Sequence, residues 1–136
     1  MITSTLSQSA GLTIELYADG FLIFRIRDVT RNTADAVFDA YQKYDREAYE
    51  AGLSRRTLVD MRGAGWPTPY AVKRMIQASK ETPAGLREST AVLVGNDRMA
   101  LRLMERLLSR LTRQSQQSAR LFTSEEEAIR WLRGRP

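Results

Sequence analysis

The segment Thr57-Leu-Val-Asp-Met-Arg-Gly-Ala-Gly65 constrains the fold of this chain more than any other. A short apolar run ends on Asp60 and breaks into a turn of small residues, and Thr68-Pro69 follows as a helix start. Aliphatic and β-branched residues favour a strand, and glycine permits the turn. Proline suits the first helical position, where no backbone donor is needed. The segment is therefore a strand-to-helix junction. In an open α/β sheet, ligands and partners dock at such junctions.

The rest of the chain repeats this alternation. Leu12, Ile14 and Leu16 alternate with Thr13, Glu15 and Tyr17, and Phe21 to Ile26 is more continuously apolar. Asp19-Gly20 between them signals a hairpin. Thr33 is a candidate cap for a helix running to about Ala51 and ended by Gly52. Val37, Tyr41, Tyr44 and Ala48 recur there at helical spacing. Strands at Thr57–Asp60, Ser89–Val94 and Ala119–Phe122 alternate with helices from Pro69 to about Lys80 and from Asn96-Asp97 to about Arg113. The first of these helices is expected to turn Val72, Met75 and Ile76 inward. Ser124-Glu-Glu-Glu127 forms a capping box for a last helix. The order β-β-α-β-α-β-α-β-α predicts one α/β domain over residues 11–136. Its mixed sheet has five strands, four parallel and the first antiparallel in a hairpin, with four helices. Residues 1–10 are polar and read as a loosely ordered N-terminus.

The chain of 136 residues is long enough for one core, and 43% of it is hydrophobic. It holds no cysteine and no histidine. Thiolate catalysis, disulfides and Cys-type zinc sites are excluded, and the usual general base is missing. No stretch approaches the ~20 apolar residues of a membrane span. The N-terminal residues lack the pattern of a secretory signal, so a cytoplasmic location is expected. The net charge of +5 allows an anionic partner. A solvated arginine-rich surface is the simpler account.

This element order resembles the STAS superfamily, and more narrowly its bacterial SpoIIAA-like (STAS/SEC14-type) group. The resemblance rests also on the Leu58-Val-Asp-Met-Arg-Gly63 turn and the closing segment from Arg120 to Leu132. It covers nearly the whole chain. It implies a SpoIIAA-like fold and a domain that binds a partner or ligand rather than an enzyme. Antagonist members are switched by phosphorylation of a hydroxyl at the start of the second helix, within an Asp-Ser-x-Gly signature. Here the chain reads Gly65-Trp-Pro-Thr-Pro-Tyr70, without that pair, and Thr68 is the nearest hydroxyl.

Residues just past the parallel strands should converge at one edge. Asp60, Arg62, Trp66, Thr68, Tyr70, Asn96 and Arg98 are the candidate ligand- or partner-binding set. Trp66 and Tyr70 are its ligand-facing aromatics. Asp28, Asp60 and Asp97 together form a carboxylate set of the kind that holds magnesium in phosphoryl transfer. Turn and cap chemistry explains the same residues more simply. No metal and no cofactor is therefore expected. On the helix that follows Asp97, Arg98, Arg102, Arg106, Arg110 and Arg113 share one arc, opposite Leu103, Met104, Leu107 and Leu108. That arc is a candidate face for an anionic partner, but it lacks the interleaved aromatics of a single-strand nucleic-acid platform. Leu103 and Leu107 at its border suggest a homodimer contact. The reading is a non-catalytic regulatory or ligand-binding domain. The alternatives are a lipid-type carrier with a pocket near Trp66 and Tyr70, and a magnesium-dependent phosphoryl-transfer enzyme.

Overall fold

A computed structural model describes residues 2–111 and 117–136, so Arg113 lies outside the described residues. The elements in order are β1 (Ile2–Ser9), β2 (Leu12–Tyr17), β3 (Leu22–Ile26), α1 (Arg31–Glu50) and β4 (Arg55–Asp60). They continue as α2 (Pro69–Glu81), β5 (Glu88–Leu93), α3 (Arg98–Leu111), β6 (Gln117–Phe122) and α4 (Glu125–Arg133). One sheet carries the strands in chain order, β1 to β6. The first three strands pair antiparallel, and β3 to β6 pair parallel.

The sheet has six strands rather than the expected five. The added strand is β1, in the segment read as loosely ordered. It lies at the sheet edge with Ser4 to Ser9 exposed. Backbone pairing with β2 holds it, so its side chains carry no apolar alternation. The hairpin at Asp19-Gly20 forms as expected. Gly20 takes a φ of 87°, a region that favours glycine, and its N–H donates to the Tyr17 carbonyl at 2.9 Å.

Register assigns the two faces of the parallel sheet. Ile23, Leu58 and Ala91 are cross-strand partners and pack under Ala128, Ile129 and Leu132 of α4. Phe24, Val59, Val92 and Leu121 form the row on the opposite face. Phe24 packs with Val37 of α1, and Val92 with Met104 of α3. Parallel crossovers are right-handed, and each successive strand is added on the same side. Helices α1, α2 and α3 must therefore share one face, which leaves the other to α4.

This crowding shapes the molecule. Three helices side by side need about 16–20 Å between their outer axes. Four strands offer only about 14 Å. The middle helix gives way: α2 packs on α1 and α3 and, among the described residues, makes no substantial contact with a strand. Its inward residues are Ala71, Met75 and Ala78, not the expected Val72, Met75 and Ile76. Val72 and Ile76 instead line a groove on the outer side with Trp66. The amphipathic reading selected the bulkiest arc, whereas a helix held off the sheet turns its smallest side chains inward.

Four boundaries also differ from expectation. The cap of α1 is Thr30, whose Oγ1 accepts from the Thr33 N–H at 3.3 Å. Thr33 is buried within the first turn, where its hydroxyl accepts from the Gly11 N–H at 2.9 Å and donates to Asp28 at 2.6 Å. A Cβ on Gly11 would lie 2.3 Å from an Asp28 carboxylate oxygen, so this approach requires glycine. Strands β4, β5 and β6 each begin one or two residues earlier than expected, at Arg55, Glu88 and Gln117.

Candidate functional site

The gap beneath α2 is an apolar cavity of about 160 Å³. It compares with a ~150 Å³ engineered cavity that takes up benzene. Its roof is Ala71, Met75 and Ala78; its floor is Val59 and Val92; α1 and α3 close the sides. Val59 is only half-buried although it sits on a central strand, because it faces this space. From Glu88 to Val92 along β5 the slot runs about 13 Å, at ~3.3 Å per residue.

One end of the slot is polar. The extra residues at the strand starts obey the period-two alternation, so Glu88 and Gln117 lie on the same face as Val92 and Leu121. The Tyr41 hydroxyl donates to Glu88 Oε1 at 2.8 Å and lies 2.6 Å from the Thr90 hydroxyl. Behind them the Arg55 guanidinium donates to Asp45 and stacks 3.8 Å over the Tyr41 ring. Arg55 Nη1 is 3.7 Å from Glu88 Oε2. One buried cation thus faces two buried carboxylates, Asp45 and Glu88. Burial pushes Asp45 up to about 8; Arg55 opposes the rise and Glu88 adds to it. Burial and the Glu88 charge raise the Tyr41 phenol well above its ordinary value, which keeps it a donor.

The raised Asp45 value has a testable sign. The folded state holds this proton where the unfolded chain, with a carboxylate near ~3.9, releases it. The stabilising contribution is therefore complete below about pH 4 and is lost as pH rises toward and through about 8. Urea titrations at pH 5, 7 and 9 should show stability falling across this window. Asp45→Asn, which mimics the protonated form, should flatten the fall. An equal fall in both proteins would reject Asp45 as its source.

The opposite end of the sheet holds the expected edge residues. Asp60 accepts from the Arg62 backbone at 3.1 Å, from Arg62 Nε at 3.0 Å and from Arg25 Nη1 at 2.8 Å. Burial alone would raise its carboxyl, but these arginine bonds hold it below the usual range. Arg25 also donates to Glu15 and Glu125, and Arg62 reaches Glu125 at 3.2 Å. Asp28 is occupied by Thr30 and Thr33, and Asp97 caps α3 through the N–H groups of Met99 and Ala100. The three carboxylates thus serve separate caps and pairs. Among the described residues, no cluster of three such ligands is placed to hold a metal.

The remaining candidates scatter. Thr68 caps α2 by accepting from the Ala71 N–H at 3.2 Å. Tyr70 donates to Asp35 and carries the Arg31 guanidinium 4.3 Å above its ring, which ties α2 to α1. Trp66 is 45% exposed on the outer groove. The cavity exists, but neither Trp66 nor Tyr70 lines it; Pro67 does. Asn96 and Arg98 are exposed beyond the strand ends. Arg102, Arg106 and Arg110 face solvent as the helical register requires, Met104 is buried, and Leu103 remains 45% exposed. The residues that sequence reasoning missed are Glu88, Gln117 and Arg55. Extending each strand backward in steps of two would have marked them as charged or amide groups at inward positions.

No protein-family model matches the chain, and no curated protein matches it. Among solved structures it is similar to an uncharacterized protein of the DUF3478 family with a SpoIIAA-like fold, from Shewanella loihica PV-4. The identity is 16% and the TM-score 0.60, over 97% of this chain and 99% of that one. The fold is SpoIIAA-like, as the resemblance implied. No described helix is long and apolar enough to cross a membrane.

Proposed function

We propose that this SpoIIAA-like domain is a non-catalytic module that binds a small apolar ligand in the cavity beneath α2. The cavity itself carries the reading. A void of this size beside a well-packed sheet forfeits dispersion contacts on every wall. An apolar occupant restores them, and small ligand sites are concave and mostly apolar. The carboxylates at the strand ends are engaged in caps and ion pairs, which supports binding over catalysis. Trp66, Val72 and Ile76 lie on the outer side of the same helix that roofs the cavity. A protein partner docked there would sense occupancy through α2, which is how a regulatory role would operate.

Methyl NMR titration with hexane tests the reading. Hexane should shift the Ala71, Ala78 and Met75 methyls of the wild-type protein. Ala71→Leu and Ala78→Leu fill the roof and should weaken hexane binding at least about tenfold, a loss of ~1.4 kcal/mol. Their melting temperatures should hold or rise. Wild-type methyls that do not respond to hexane would overturn it.

A further inference from the structure

We infer that the cavity selects a neutral, hydroxyl-terminated amphiphile, its hydroxyl seated between Glu88 and Gln117 and its apolar body along Val92. This rests on the apolar-ligand reading and adds the chemistry of the head group.

Glu88 and Gln117 are register partners on adjacent parallel strands. Their Cα atoms are therefore about 4.8 Å apart and their side chains share a face. Both line the cavity. Glu88 is only 8% exposed, and its Oε1 is used by Tyr41. Its Oε2 is buried with no hydrogen-bond partner among the described residues, since Arg55 Nη1 at 3.7 Å is beyond bonding distance. Gln117 Nε2 is likewise buried and unpartnered among the described residues. Buried polar atoms are nearly always satisfied, so two such atoms on neighbouring residues that line one cavity call for explanation.

The pair defines what satisfies it. One atom is an acceptor and the other a donor. A hydroxyl does both at once, donating to Glu88 and accepting from Gln117. An ammonium donates only and leaves the Gln117 amide unmet. A carboxylate accepts from Gln117 but brings a second negative charge against Glu88. A hydrocarbon leaves both orphans in place. A site built to bond a hydroxyl discriminates strongly against the analogue that lacks it.

Methyl NMR titrations of the wild-type protein with 1-hexanol, hexane, hexylammonium and hexanoate separate these cases. Hexanol should bind at least about tenfold more tightly than hexane, since it gains a bond to a charged acceptor. Hexanoate should bind most weakly. In Gln117→Met the ratio of hexanol to hexane affinity should fall at least about threefold, because the donor is gone. Equal affinity for hexanol and hexane in the wild type, or hexanoate binding tighter than hexanol, overturns the inference while the apolar-ligand reading stands. No response to any probe, hexane included, overturns both.

Discussion

Arg55→Met is expected to lower the free energy of unfolding by about 3–5 kcal/mol, the usual penalty for removing one partner of a buried ion pair. Arg55 is 4% exposed at the start of β4, and its environment is built around its charge. It donates to Asp45, lies near Glu88, and stacks on Tyr41 with Phe24 beyond at 5.8 Å. Methionine replaces the stem and most of the packing. It leaves the two buried acids without a cation. The loss should therefore come from electrostatics, and the double variant Arg55→Met/Glu88→Gln should lose less than the two single losses summed. Urea denaturation of the single and double variants measures this. A single-variant loss under about 1 kcal/mol would show that Arg55 contributes little beyond the stem.

Leu132→Ala should cost about 2–5 kcal/mol. Leu132 is fully buried under the sheet face that α4 alone covers among the described residues. It shares one buried cluster with Ile23, Leu58, Ala91 and Leu93, residues fixed by strand pairing that cannot collapse into the space left behind. Poor relaxation puts the loss toward the upper part of the range. Calorimetry of the variant gives the value. A loss below about 1 kcal/mol would mean that α4 is held by its flanks, through Trp131 against Phe122 and Arg133 against Asp19, rather than by its buried stripe.

Much of the fold was legible because strands and helices carry different periods. The hairpin at Gly20, the junction after Asp60 and the Ser124 cap each combined a period change with a residue whose backbone chemistry fits the turn. Strand β1 was not legible. An edge strand is held by its backbone, and Ile2–Ser9 advertises nothing in its side chains. The site was harder still. Trp66 and Tyr70 carry the usual sequence signal of a pocket, aromatics beside a helix start. The space actually forms where side chains are small, at Ala71 and Ala78, and a void has no residue type of its own. It follows from counting helices against strand widths, which needs the strand order. The polar end is hidden for a simpler reason: Arg55, Glu88 and Gln117 precede the apolar runs that mark the strands in the sequence. Their inward orientation becomes visible only when the strand period is carried through them.

Strand β1 also bears on how the molecule behaves in company. The unpaired rim of a sheet is an invitation to other strands, and the next strand inward, Leu12-Thr-Ile-Glu-Leu-Tyr17, is half apolar. The covering strand carries no charge, the commonest deterrent. It relies on two breaks in register, between Ile2 and Ser4 and between Thr5 and Ser7, which put its outward amides out of step with any would-be neighbour. Strand β1 thus acts as a selvage: a woven border that carries little of the pattern and keeps the cloth from joining the next piece.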